Sequence, residues 1–132
     1  MRIVRGTLNR VELIGWVGAE PDVKNIGKDN KVCSLNISTK RMTGRTNGVM
    51  QVESEWMTVE LWDRLADRCI KSVHRGSRVM VLGSLLTRTW EDRESGQRRY
   101  RTIVRAEECL VLSASESEDT HEEVEDPESA TA

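Results

Sequence analysis

Tryptophan and arginine are the residue types with which this chain could do chemistry. It contains four Trp and one Tyr but no Phe. Trp56 and Trp62 fall on the same side of a predicted strand, and Trp90 follows Arg88 at the edge of a predicted hairpin. A nucleobase can stack on an indole ring, and a guanidinium group can neutralise a phosphate. The pairing favours binding of a single-stranded nucleic acid without base-specific contacts.

Further candidate residues are cations and an aromatic that border the same strands. The cations flank two predicted hairpin loops: Lys40, Arg41 and Arg45 at the first, and Arg98, Arg99 and Arg101 at the second, across from Trp90. Taken singly, each arginine could equally be a solvated surface charge. Trp16 is a weaker candidate, because partial burial or a protein interface would also account for an indole on the more polar side of its strand.

Residues suited to catalysis or metal binding are sparse. His74 and His121 have no Cys or carboxylate partner at ligand spacing, so we expect no metal site and no cofactor. Asp92 and Glu94 could hold a cation for a nuclease, but isolated acids in a hairpin are more often turn residues. Neither a phosphate-cradling glycine motif nor a nucleophile elbow is present. We therefore expect a binding protein and not an enzyme.

The charges of the chain are separated along its length. The net charge is −2, but all 20 Lys and Arg lie at or before Arg105. Residues 1–112 carry a net charge of +6, whereas residues 113–132 carry eight acids and no Lys or Arg. A basic body with an acidic tail indicates a polyanionic ligand.

Cysteine usage and hydropathy bear on where the protein works. Cys33, Cys69 and Cys109 are far apart in sequence and show no C-x-x-C spacing, which is typical of a reduced compartment. No apolar run reaches the length of a membrane span, and the first eight residues lack the apolar core of a signal peptide. We expect a cytoplasmic, nucleoid-associated protein in a bacterium, or an organellar nucleoid protein if the chain is a processed mature form.

Alternating apolar residues predict the strands, and the clearest case is residues 53–62. There Met57, Val59 and Leu61 fall on one side, which leaves Trp56 and Trp62 on the other. Similar alternation predicts strands over residues 8–17 and 31–41, and residues 23–26 can form only a short strand between two turns. Residues 77–90 are apolar on both sides from Val79 to Leu86, which predicts a strand covered on both sides, and residues 98–112 predict a last strand with an apolar end. The 3.6-residue spacing over residues 63–74 predicts a helix with Asp63 as its N-cap. Residues 42–51 show no periodicity and are predicted to form a long basic loop.

Five main strands with one helix between the third and the fourth is the element order of an OB-fold, a small Greek-key barrel. We therefore predict an all-β fold with one short helix, in which residues 1–112 form the OB-fold domain. Residues 113–132 are too poor in apolar residues to fold, and we predict a disordered acidic tail.

Several segments of the chain resemble one protein family. They are Asn9-Arg-Val-Glu-Leu-Ile-Gly15, Gly18-Ala-Glu-Pro-Asp22, Ser54-Glu-Trp-Met-Thr-Val59, His74-Arg-Gly-Ser-Arg78 and Leu82-Gly-Ser-Leu-Leu-Thr-Arg-Thr-Trp90. In order and spacing they are similar to bacterial and mitochondrial single-stranded DNA-binding proteins, over about residues 8–112. The resemblance implies an OB-fold homotetramer around which single-stranded DNA wraps during replication, recombination and repair. It also implies stacking on Trp56, Trp62 and Trp90 and basic contacts from Arg10, Arg64, Arg75 and Arg88.

The chain departs from the family at three places. Met42 and Thr43 stand where the family often has an aromatic, and Met57 stands where many members have a His at a subunit contact. The end of the chain, Pro127-Glu-Ser-Ala-Thr-Ala132, lacks the Pro-Phe tip that docks repair and replication enzymes. The first two departures bring one stacking site and the tetramer contact into question. The third does the same for docking through the tail.

Three other functions fit parts of the same pattern. The chain could be an OB-fold protein-assembly module in which the tryptophans are buried in protein contacts. It could bind RNA or act as an RNA chaperone, because base stacking tolerates either sugar. A metal-dependent nuclease is the enzymatic alternative.

Overall fold

A computed structural model describes residues 3–113 of the chain. Within these residues, strands and one helix follow each other in this order: β1 Val11–Val17, β2 Asp22–Ile26, β3 Asn30–Thr46, β4 Val49–Trp62, α1 Arg64–Ser72, β5 Arg78–Glu91 and β6 Arg98–Ser113. The predicted tail lies outside the described residues, except for Ser113, with which β6 ends. Across residues 3–113, no helix has the length and apolar character needed to cross a membrane.

The strands form a closed barrel. Their order is β1-β5-β6-β4-β3-β2, and β1 also pairs with β3. This additional pairing closes a ring of five strands: β1, β5, β6, β4 and β3. β2 pairs with β3 alone and forms a short hairpin on the outside of this ring. β4 and β6 run parallel, while the other pairs are antiparallel. The predicted five-stranded OB-fold is confirmed, with β2 as an additional short strand.

The barrel is filled by the alternate residues that the sequence predicted. Val59 and Leu61 of β4 and Leu35 and Ile37 of β3 are almost completely buried, and Met57 packs against them. Burial of such side chains stabilises the fold by roughly 1.5 to 3 kcal/mol each. Because successive strand residues point to opposite sides, this inward set directs the intervening side chains outward.

The helix packs on the barrel through Ala66 and Cys69, both buried. It is shorter than predicted and ends at Ser72, and Asp63 makes no side-chain cap hydrogen bond. Instead, the Asp63 carboxylate accepts a hydrogen bond of 3.1 Å from the backbone N–H of Lys31 and ties the start of the helix to β3. Asp63 is therefore the N-cap residue, as predicted, but it occupies that position without a side-chain cap hydrogen bond.

The prediction of a loop over residues 42–51 was wrong. β3 and β4 continue through this segment as a ladder, and only Asn47 and Gly48 form the turn. Both have positive φ, 53° and 79°, as a two-residue hairpin turn requires. A register shift between Met42 and Gly44 breaks the alternation there, which explains why the sequence showed no strand period. The second predicted hairpin loop is confirmed between Glu91 and Arg98.

The three thiols are free and lie in or beside the core. The sulfurs of Cys33 and Cys69 are 3.4 Å apart and share a hydrogen bond between β3 and the helix. This bond, together with burial, raises the pKa of Cys69. Burial also raises the pKa of Cys109, to about 11. The Cys69 and Cys109 thiols therefore stay protonated at neutral pH.

Candidate nucleic-acid interface

The outward side of β4 carries a row of four side chains: Trp56, Thr58, Glu60 and Trp62. Trp56 is 59% exposed, although burying the large apolar area of an indole ring normally stabilises a protein. Trp62 is half-buried. An exposed indole on a barrel wall leaves an aromatic surface available to a ligand.

The neighbouring strands place arginines against this row. Arg101 of β6 donates a hydrogen bond to the hydroxyl of Thr58, and Arg88 of β5 makes an ion pair of 2.7 Å with Glu60. The guanidinium carbon of Arg105 lies 4.8 Å from the centroid of the Trp62 ring. We call this surface the tryptophan face and define it by Trp56, Trp62, Trp90, Arg88, Arg101 and Arg105.

Trp90 extends the tryptophan face along the second hairpin. It pairs with Arg99 across β5 and β6, so the two side chains share a side of the ladder. Trp90 is 47% exposed. Arg99 makes an ion pair of 3.0 Å with Asp92, while Arg98 lies opposite Glu91 at the base of the loop.

Asp92 itself serves the turn. Its carboxylate also accepts a hydrogen bond of 3.0 Å from the backbone N–H of Glu94. The Glu94 bond and the Arg99 pair hold the pKa of Asp92 below its ordinary value. These contacts are those of a loop-stabilising residue and account for Asp92 without a metal.

Trp16 belongs to the same side of the barrel as Trp56. Trp16 of β1 pairs with Ser38 of β3, and Ser38 pairs with Trp56 of β4. Side chains that pair directly share a face, so the two indoles flank a serine. Trp16 is half-buried. The structure therefore places this weaker candidate at the edge of the exposed aromatic surface.

Gly18 sets the position of Trp56. A Cβ atom on Gly18 would lie 2.3 Å from the indole ring, so any other residue would displace the ring. Beside this contact is an open cavity of about 400 Å³, lined by both residues with Asn36, Thr58 and Arg101 among others. A flat ring, polar groups and a cation thus converge on one cavity, as is typical of a ligand site.

Trp62 lies in a cluster with Glu60, Arg88 and Arg105. Its indole N–H donates a hydrogen bond of 3.1 Å to Glu60, and Arg88 lies 6.0 Å from its ring centroid. Burial acts to raise the pKa of Glu60, but the hydrogen bonds from Arg88 and Trp62 outweigh it and lower that pKa. Glu60 is therefore ionised at neutral pH, and its charge is balanced by Arg88.

The cations of the first hairpin differ in their surroundings. Lys40 pairs with Ser54 and shares the side of Trp56, whereas Arg41 lies on the opposite side. Arg41 makes an ion pair of 3.1 Å with Glu55 and one of 3.9 Å with Glu53. Arg45 lies beyond the register shift and donates to the carbonyl of Gly48 in the turn.

The remaining predicted cations are on other elements. Arg10 precedes β1 and pairs with Glu12. Arg64 begins the helix, and Arg75 follows it in the loop to β5, where its backbone N–H donates to Glu20 at 3.1 Å. The structure thus brings part of the predicted set together on the tryptophan face and leaves these three at other positions.

The chain matches the family model of the single-strand binding protein family over residues 8–112. The chain belongs to this family. Two relatives are each 30% identical: the single-stranded DNA-binding protein 1 of Chlorobaculum tepidum, over 83% of this chain and 68% of the relative, and that of Nostoc, over 86% and 90%.

Solved structures of family members agree with the fold. The Plasmodium falciparum single-strand binding protein in complex with single-stranded DNA superposes with a TM-score of 0.73 at 28% identity, covering 84% of this chain and 100% of that one. A deletion mutant of the Thermus aquaticus single-stranded DNA-binding protein gives a TM-score of 0.70 at 27% identity, over 80% and 51%.

Sequence reasoning overlooked Arg105 of the tryptophan face and two residues outside it, Gly18 and Tyr100. Arg105 shares strand parity with Arg99 and Arg101, and that signal could have found it. Tyr100 pairs with Thr89 on the other side of the hairpin from Trp90 and is 67% exposed. The contact of Gly18 with an indole on another strand left no local signal in the sequence.

Proposed function

We propose that this chain binds single-stranded DNA without sequence preference and protects exposed strands during replication, recombination and repair. The tryptophan face carries this proposal, because exposed indoles and cations share one continuous surface on β4, β5 and β6. Stacking on an aromatic typically contributes about 1 to 3 kcal/mol per base in single-strand binding proteins. Trp56 and Trp90 are the most open stacking sites, and Trp16 extends the surface.

The phosphates of the bound strand would contact the cations around these rings. Arg101 and Lys40 lie on the side of Trp56, and Arg88, Arg98 and Arg99 lie along the second hairpin. A strand that continues past the tryptophan face would contact the other predicted cations: Arg10, Arg41, Arg45, Arg64 and Arg75. Such contacts depend on salt, because each neutralised phosphate releases counterions.

We further propose that four copies of the chain assemble. Ile14, Met80 and Leu110 pair in a row across the outer side of β1, β5 and β6. Ile14 is 50% exposed and Leu110 is 51% exposed. A contiguous apolar surface of this kind is typical of a subunit interface. Light scattering should give the mass of four chains, and Ile14→Asp should reduce it, whereas Val49→Asp on the first hairpin should not.

The proposed activity is binding, with no chemical step, in the cytoplasm or an organelle where single-stranded DNA is exposed. Titration of poly-dT while following tryptophan emission tests it. Strong quenching that weakens steeply as salt is raised supports the proposal. Absence of quenching at low salt would contradict it and would favour a protein-assembly module. Competition between matched DNA and RNA oligomers separates the RNA-binding alternative.

A further inference from the structure

Cys33 and Cys69 face each other inside the barrel, between β3 and the helix. Their sulfurs are 3.4 Å apart and share a hydrogen bond, although the two residues lie 36 positions apart in the chain. Cys33 is completely buried and Cys69 is 3% exposed. Two thiols in direct contact need only a small shift, to an S–S distance of about 2.0 Å, to form a disulfide. The pair takes no part in the tryptophan face, since both side chains belong to the core.

The two thiols differ in acidity. The hydrogen bond from Cys69 lowers the pKa of Cys33. The same bond, together with burial, raises the pKa of Cys69. Because the thiolate is the form that attacks an oxidant, Cys33 is the nucleophile of the pair and Cys69 is the resolving thiol. Cys109 packs against the same core, but burial raises its pKa to about 11, which keeps it protonated.

An oxidant reaches the pair when the helix moves away from the barrel. The helix has nine residues, too few to be stable alone in water, and its buried residues are Ala66 and Cys69. Asp63 and Asp67 also tie it to Lys31 of β3, but these contacts are exposed. Segments held by few buried contacts open locally more often than the whole domain unfolds. Opening of the helix therefore uncovers both sulfurs together, and its return brings them back into contact.

We propose that Cys33 and Cys69 are a site of reversible oxidation, at which hydrogen peroxide forms a disulfide that locks the helix onto β3. The Cys33 thiolate attacks one peroxide oxygen, the O–O bond breaks and hydroxide leaves, which gives a sulfenic acid. The Cys69 sulfur then attacks the Cys33 sulfur, and the sulfenic hydroxyl leaves with the Cys69 proton as water. In total, two thiols and one peroxide give one disulfide and two waters. A thiol reductant reverses the reaction by exchange.

The disulfide changes the stability of the chain and leaves its outer surface in place. A crosslink stabilises a protein mainly by restricting the unfolded chain, and the effect grows with the length of the closed loop, which here runs from β3 through β4 into the helix. The bond also withdraws both thiols from irreversible oxidation to sulfinic acid. Because both sulfurs lie inside the barrel, the outward side chains of β3 and β4 keep their positions.

The first test exposes the full chain to hydrogen peroxide, removes the peroxide with catalase and alkylates the remaining thiols in urea. The intact mass should show one alkyl group on the oxidised chain and three on the reduced chain, whose three cysteines are free. Tryptic digestion without reductant should yield the peptide of residues 32–40 bonded to that of residues 69–71. A bond that involves Cys109, a crosslink between two chains, or oxidation without a disulfide would overturn the inference.

The second test compares Cys69→Ser with the control Cys109→Ser under the same treatment. The control should still form the bond, whereas Cys69→Ser should not. Oxidation should raise the melting temperature of the wild type and of the control by about 10 °C, and dithiothreitol should reverse the rise. The peptide map of the wild type decides the pairing even if Cys69→Ser does not fold. A melting temperature that stays the same or falls once the disulfide has formed would show that the bond does not lock the helix, and would overturn the inference.

Discussion

The two long hairpins of the barrel have similar ladders but different chemistry. The first, residues 40–54, closes in a two-residue turn and contains no aromatic residue. Its Arg41 is held by two glutamates, and its most exposed apolar side chains are Met42 and Val49. The second, residues 87–102, closes in a longer loop and carries Trp90, Tyr100 and the arginines around them.

The two hairpins therefore have a similar shape but differ in the side chains that could bind a ligand. Both hairpins can guide a strand, but only the second offers rings on which bases can stack. An arginine that two carboxylates already neutralise has little charge left for a phosphate, so it displaces few counterions from the DNA. An arginine bonded to a neutral hydroxyl keeps its full charge for the ligand. We therefore expect the second hairpin to contribute most of the affinity and the first to contribute little.

The largest expected difference follows from removing one side chain from each hairpin. Trp90→Ala should weaken binding of a dT oligomer by about 1 to 3 kcal/mol, which is roughly 5- to 150-fold in Kd. Met42→Ala should change Kd by less than about twofold, since it removes no stacking surface. Fluorescence anisotropy of a labelled oligomer measures both, and the melting temperature confirms that each variant is folded. Equal losses would refute the division between the hairpins.

A second comparison concerns charge. Arg101→Gln should reduce the magnitude of the salt slope by about 0.7, as expected for one lost phosphate contact. Arg41→Gln removes the same charge from the first hairpin but should leave the slope nearly unchanged, because Glu53 and Glu55 already neutralise it. Binding isotherms at four or more salt concentrations give the slopes. A larger change in Arg41→Gln than in Arg101→Gln would reverse the assignment.

The acidic segment after Ser113 should act on the same cations. Its eight acids can compete with DNA for the basic surface, so ending the chain at Ser113 should tighten binding several-fold at low salt. The gain should shrink when Arg101 on the second hairpin, which is bonded to a neutral hydroxyl, is replaced by Gln. It should persist when Arg41 is replaced. Unchanged or weaker affinity of the shortened chain in a low-salt titration would contradict the competition.

The smallest effect on binding is expected from the turn of the first hairpin. Gly48 has φ of 79°, where a residue with a Cβ is strained by about 1 to 2 kcal/mol. Gly48→Ala should therefore lower the free energy of unfolding by about that amount, measured by urea denaturation. Its Kd for a dT oligomer should stay within about twofold. A large loss of affinity in folded protein would mean that this turn contacts the DNA.

Local sequence patterns predicted the parts of the fold that depend on one strand at a time. Alternation in β4 placed Trp56 and Trp62 outward, and the element order indicated the barrel. The continuation of β3 and β4 through residues 42–51 was missed because the shift at Met42 disrupts the alternation on which strand prediction depends. Asn47-Gly48 was nevertheless a strong hairpin signal.

The missing parts of the site arise from contacts between distant segments. Arg105 and Trp62 meet only because β4 and β6 pair in parallel, and no local period reveals such pairing. The Glu60 contacts likewise depend on Arg88 from β5. A sequence can therefore indicate which residues face outward, but not which of them are already engaged with each other.

Photo-crosslinking can show directly whether the bound strand lies across the tryptophan face. A dT oligomer with 5-iodo-deoxyuridine at defined positions would be crosslinked to the full chain, and the modified residues identified by mass spectrometry. We predict crosslinks at Trp56 and Trp90, with few on the first hairpin beyond Met42. Crosslinks concentrated at that hairpin, or on the outer side of β1 around Ile14, would contradict it.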